Sequence, residues 1–308
     1  LQNTFIGGLS GSNITEANQN VAVGYGTLDA DTLGARSVAV GTNSLTTQNF
    51  TTATNTYNVA AGYFSGANIT TGIQNTLIGG LAGDALTDAD YNVAIGYASL
   101  TADTLGSKST AIGVGTLESQ NFTTATDSFN TAVGYTAGLS VTTGTNNTLI
   151  GALAGDALTS AVRNVAVGKG ALSSDTLGNA NVAIGEDALK NQNFTTATNV
   201  YNTAVGMNAG ENVTTGVQNT ILGGLAGASL TDADDNVAVG FGALTTDTLG
   251  SRSVAIGEQA LAVQNLTTAT NTYNTAVGFQ AGAAVTTGTF NTLIGGLAGD
   301  ALTDADYN

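Results

Sequence analysis

The chain has 308 residues and a formal charge of −16, from 6 basic against 22 acidic side chains, so a polyanion such as nucleic acid is repelled. It has no Cys, which excludes disulfide staples and thiolate metal sites, and no His, which leaves the usual nucleophile–base pairs of hydrolases unavailable. With 42 Gly and no Pro, its composition is that of a repeat protein rather than of two globular domains, and no apolar run is long enough to span a bilayer.

From the amino terminus onward, a short block ending in Gly (VAVG, TLIG, VAIG, TAVG) recurs, its Gly falling at Gly7, Gly24, Gly41, Gly62, Gly79 and Gly96 and continuing to Gly295. Successive blocks are 17, 17, 17 and 21 residues long, which makes a 72-residue unit. The units run approximately 1–72, 73–144, 145–216 and 217–288, with a partial one at 289–308, and form one continuous array. The segment NTLIGGLAGDALTDADYN occurs at Asn75–Asn92 and again at Asn291–Asn308, and the array is expected to continue beyond it in a longer fibre.

Each block predicts a short strand followed by a turn, because Val93, Ala94 and Ile95 alternate in direction and Gly96 permits a bend where a side chain would clash. The density of Gly, Thr and Asn excludes helix. One block cannot fold alone: fixing a residue costs about 1–2 kcal/mol, and each buried aliphatic side chain returns roughly 1.5–3 kcal/mol. The expected fold is therefore all-β, a parallel β-solenoid (β-roll) of 17- and 21-residue coils stacked at strand spacing, four coils rising roughly 19 Å.

Stacking puts equivalent residues over one another. The position four before each Gly is Asn or Ser (Asn20, Ser37, Asn58, Asn75, Asn92, Ser109, Asn130), predicting a ladder of side-chain hydrogen bonds. The middle of the block is Ala in most coils and Phe5, Leu77, Leu149, Ile221 or Leu293 once per unit. A small residue there predicts close approach by a second layer, with both faces of the strand covered and the Ala face against a neighbouring chain.

The 21-residue coil must bulge outward. Around its TTAT segment it carries Phe50, Phe122, Phe194 and Leu266, then Tyr57, Phe129, Tyr201 and Tyr273, which either cover the bulge or form a regular contact surface. The N-x-[ST] sequences at Asn49, Asn121, Asn193 and Asn265 are candidate glycosylation acceptors on the same coil. Asp31, Asp103, Asp175 and Asp247 recur in one phase, and Asp88, Asp90, Asp232, Asp234, Asp304 and Asp306 form D-x-D turns that could hold calcium. Ser160 and Val162 replace one such pair, so the carboxylates are read chiefly as a solvated, mutually repelling face and no cofactor is expected.

Residues that depart from their equivalents are Glu118, Arg163, Lys169, Glu186, Asp187, Lys190, Glu211 and Glu258. In the sequence they are scattered and form no carboxylate pair of the kind a glycosidase needs, so an enzyme is not expected.

The runs NTAVGYTAG from Asn130, NTAVGMNAG from Asn202 and NVAIGYASL from Asn92 resemble the head and shaft repeats of trimeric adhesins and of phage tail fibres, along essentially the whole chain. The resemblance implies a left-handed roll, a homotrimer and a fibre outside the cell or on a virion, with a cell-surface or glycan target. The function expected is structural or adhesive. The alternatives are an ice-binding solenoid, from the TTAT threonines at Thr51, Thr123, Thr195 and Thr267, and a polysaccharide-degrading spike.

Overall fold

A computed structural model of the chain describes residues 2–308, which contain strands and turns and no helix. The chain forms two compact units, Leu1–Ala152 and Leu153–Asn308. Each is a parallel β-solenoid in which every coil contributes one three-residue strand. In the first unit Thr4–Ile6 pairs with Val21–Val23, which pairs with Val38–Val40, and so on to Thr148–Ile150. In the second the same ladder runs from Val165–Val167 through Val182–Ile184 to Thr292–Ile294. Partners are 17 residues apart, as in Thr110 opposite Val93, or 21 apart where the long coil intervenes, as in Thr110 opposite Thr131. The strand and register expectations are met coil by coil.

The bend after each strand requires glycine for two reasons. Gly96 has φ +134°, outside the range of most L-residues, and a Cβ on it would run into the Gly113 carbonyl of the next coil. Backbone bonds such as Gly96 N–H to Ile78 C=O, 2.8 Å, then link coil to coil through the turn.

The interior is filled by size complementation. Ala22, Ala39, Ala94 and Ala111 point into the chain's own core and are fully buried, beside Leu28, Leu45, Leu100 and Leu117 from the following turn. Where the strand centre is large, the turn gives way: Leu77 packs between Gly66 and Gly83, whose added Cβ atoms would lie 2.7 and 2.8 Å from its methyls. This accounts for the once-per-unit Leu or Ile. It also corrects the expectation for the Ala face, which meets the chain's own core and no second chain. The outward face carries Val23, Ile95, Ile112 and Val133, half-buried, and Val40, Ile78 and Ile150, about 40% exposed.

The asparagine ladder forms as expected and is buried from Asn20 to Asn291. Asn75 Oδ1 accepts the Asn92 N–H at 2.9 Å, while Asn75 Nδ2 donates to the Ala89 carbonyl at 2.7 Å. Asn92 repeats this with Ser109 N–H and Gly106 C=O. Each amide thus binds the next coil's backbone twice, satisfying groups that no water reaches.

Ser replaces Asn for a reason that lies in the long coil. Gln48 fills the space that the shorter side chain leaves, donating to Ser37 Oγ at 2.9 Å and accepting from Asn58 Nδ2 at 2.9 Å. The Ser37 hydroxyl also pairs with Thr56, as Ser109 pairs with Ser128 and Ser253 with Thr272. In the third long coil both members change, to Asn181 and Val200, and the buried Asn181 Oδ1 is left without a partner. An unpaired buried acceptor costs about 1–3 kcal/mol. The double substitution Asn181→Ser with Val200→Thr should therefore raise the midpoint of chemical denaturation, whereas either change alone should gain less.

Candidate functional site

Three features repeat at the surface or on the long coil: the corner after each strand glycine, the corner before each ladder asparagine, and the long coil itself. All are set by backbone bonds between coils, so side-chain spacing along each row equals the coil rise, about 4.8 Å.

The residue after the strand glycine points outward. In the first unit the row holds Tyr25, Tyr63, Tyr97 and Tyr135, between 58% and 62% exposed. Its backbone is continuous, with Asn43 N–H to Tyr25 C=O at 2.8 Å and Leu81 N–H to Tyr63 C=O at 2.9 Å. In the second unit Met207, Phe241 and Phe279 occupy the equivalent row and are also exposed.

The residue before each ladder asparagine adopts left-handed backbone, from Gln19 (φ 59°) and Arg36 (φ 66°) to Tyr57, Tyr91, Lys108 and Phe129. For a bulky side chain this conformation is uncommon, and here it turns the whole row outward. Four of the six basic residues stand in it: Arg36, Lys108, Arg163 and Arg252. Arg36 lies 5.4 Å from the centre of the Tyr57 ring and donates to its hydroxyl; Lys108 covers Phe129 at 5.3 Å, and Arg252 covers Tyr273 at 5.8 Å. In the second unit Tyr273, Phe290 and Tyr307 stack face to face at 5.3 and 5.0 Å. Cations and neighbouring rings thus occupy many of these ring faces.

The long-coil aromatics divide between the two roles expected of them. Phe50, Phe122, Phe194 and Leu266 are buried under the bulge, while Tyr57, Phe129, Tyr201 and Tyr273 are exposed beside it. Thr51, Thr52 and Ala53 form the exposed crest. The sequon side chains Asn49, Asn121 and Asn193 are exposed and Asn265 half-buried, each accepting from the threonine one coil back, Thr32 to Asn49 at 3.1 Å for example.

The carboxylates fall into distinct environments, and one set corrects the sequence reading. Asp31, Asp103, Asp175 and Asp247 are fully buried, not solvated. Asp103 accepts the Gly106 and Phe122 N–H groups at 3.0 Å and the Gln120 amide at 2.6 Å, so it ties the turn of its own coil to the entry of the bulge in the long coil that follows. Asp31, Asp175 and Asp247 repeat the clamp through Gln48, Gln192 and Gln264. The Ala, Ser and Thr neighbours in the sequence give no sign of this; the recurrence of D-x-x-G with a Gln 17 residues after the Asp is the signal that could have disclosed it.

The D-x-D turns differ again. Asp88 and Asp232 are exposed and accept from Thr71 and Thr215, while Asp90 and Asp234 are half-buried and accept the Ile73 and Val217 N–H groups at 2.8 Å. Burial raises the Asp90 carboxyl above its ordinary value, opposed by the Ile73 hydrogen bond and aided by Asp88 and Asp127 nearby. Asp306 accepts the Thr289 N–H at 2.6 Å, and Asp304 is exposed. Among the described residues no three His, Cys, Asp or Glu side chains converge as a metal-binding group.

Four of the residues that break the repeat do come together: Lys169 with Glu186 at 3.2 Å and Lys190 with Asp187 at 3.1 Å. The first pair is solvent-exposed, worth about 0–1 kcal/mol, and the second is half-buried. Glu211 accepts from Asn208 three residues before it, at 2.6 Å. Compared with protein-family models, curated proteins and solved structures, the chain matches none.

The clamp makes a pH-dependent prediction. Burial, the largest influence, raises the Asp103 carboxyl above its ordinary 3.8, and the Gln120 hydrogen bond is the main opposing one. A raised folded-state pKa means the unfolded chain gives up its proton first, so stability falls as pH rises from about 3.8 through the raised value. Gln120→Leu removes the strongest counterweight. Its destabilisation should be about 2 kcal/mol at pH 7 and should shrink on acidification; equal loss at pH 7 and pH 4 would contradict the clamp.

Proposed function

We propose that this chain is a segment of a structural or adhesive fibre of the extracellular type, on a cell surface or a virion, and that it works by presenting one surface pattern many times. The observation that carries this reading is that the most exposed aromatic and aliphatic side chains stand in axial rows repeated coil after coil. A β-solenoid alone implies no particular activity. The resemblance to adhesin and tail-fibre repeats supports assembly into a homotrimer.

The outward Val and Ile row is the seam this reading assigns to self-association. It is apolar and carries no charged side chain over the nine strands of the first unit, unlike the carboxylate-bearing turns. Charge placed there should act on assembly, and charge placed on the Ala face should act on folding, because Ala94 is fully buried in the chain's own core.

Electron microscopy of the assembled protein is expected to give thin unbranched fibres with a modulation of roughly 19 Å, four coils at strand spacing. Ile95→Glu with Ile112→Glu should keep the β-rich circular dichroism and abolish fibres, while Ala94→Glu should lose the fold itself. Compact wild-type particles, or fibres unaffected by the isoleucine changes, would contradict the reading.

A further inference from the structure

The tyrosine row of the first unit has a period of its own. Tyr25, Tyr63, Tyr97 and Tyr135 stand on every second coil, with Thr42, Gly80 and Val114 on the coils between. Two coils rise about 9.6 Å, and the carbonyl-to-amide bonds along the row, such as Gly115 N–H to Tyr97 C=O at 3.0 Å, hold that interval rigidly. Tyr25 and Tyr97 are laid over the space that Gly8 and Gly80 leave, while the Tyr63 ring packs against Phe64, centroids 4.5 Å apart and planes tilted by 55°. A Cβ on Gly80 would sit 3.6 and 3.9 Å from Cδ2 and Cε2 of Tyr97, and one on Gly8 would sit 3.4 and 3.7 Å from the same atoms of Tyr25.

We propose that this row binds an extended, neutral, β-1,4-linked polysaccharide lying along the solenoid axis, one tyrosine to each disaccharide. The proposal rests on the adhesive reading and names its ligand class. The spacing of the rings is close to the rise of a disaccharide in such a chain, so every second sugar meets a ring. A pyranose presents C–H groups with partial positive charge, which the negative face of an aromatic ring attracts. Ring hydroxyls and Thr42 remain free to meet sugar hydroxyls at the edges. The row contains no charged side chain in this unit, and the chain carries −16 overall, so an uncharged polymer is admitted where a polyanion is repelled. Fixed, repeated platforms also avoid the ordering cost that flexible loops would incur.

The test uses the full chain, whose 9 Tyr and lack of Trp make intrinsic tyrosine fluorescence a direct reporter. Linear β-1,4 hexasaccharides and disaccharides of glucose, N-acetylglucosamine and mannose are the probes. At least one hexasaccharide should bind, with its disaccharide weaker by about tenfold or more, since only the longer ligand reaches more than one platform. Tyr63→Ala with Tyr97→Ala should remove about that same factor, and Tyr63→Phe with Tyr97→Phe should retain binding. Circular dichroism and fibre images of the variants should match wild type. No binding by any hexasaccharide, affinity independent of length, undiminished binding by the alanine variant, or tyrosine-dependent self-association in its place would overturn the proposal. Because the fibre is imaged separately, loss of sugar binding with intact fibres sinks this inference alone.

Discussion

The structure depends on a buried asparagine amide that recurs in all but a few coils. A three-residue strand has too few backbone bonds to define its register, and the Ala row offers little side-chain volume for locking neighbouring coils together. The asparagine side chain supplies what the strand lacks. Its oxygen receives the next coil's N–H and its nitrogen reaches a carbonyl 14 residues ahead, so a shift of register would orphan two buried backbone groups at every step. The glycine corner, the close Leu and Gly packing and the even spacing of surface rows are all consequences of coils held to a single alignment.

The long coil is the one place where this rule is modified, and the modification is itself fully paired. Shortening Asn to Ser removes a ladder rung, and Gln and a buried Asp restore its function while anchoring the four extra residues. The third copy, with Asn181 and Val200, keeps the Asp and Gln contacts but loses the hydroxyl pair. Its orphaned oxygen is a local record of how closely that network must match.

Much of the fold was legible in the sequence because a repeat reports its own geometry. The Gly and Asn spacings identified the strands, the parallel register and the ladder, and the TTAT segment identified the bulge. Which strand face lies inside was not legible, since Val-Ala-Val alternates equally well either way; the deciding feature is the exchange of Leu77 against Gly66 and Gly83, visible only once coils are superposed. The burial of Asp31 and Asp103 was hidden for a different reason. A carboxylate normally signals solvent, and only its partners, 3, 17 and 19 residues away, make burial tolerable. Of the candidate surface, the long-coil aromatics were seen as a set, but the division into buried Phe50 and exposed Tyr57 and the alternate-coil tyrosines required the three-dimensional rows.

The ladder itself is tested most directly by measuring the stability and amide hydrogen exchange of Asn75→Ala. The side chain is fully buried, and its removal orphans the Asn92 N–H and the Ala89 carbonyl. The unfolding free energy should fall by at least about 2 kcal/mol, with the Asn92 N–H losing protection ahead of amides two coils away. A variant with unchanged stability and a still-protected Asn92 N–H would show that the coils hold their register by other means.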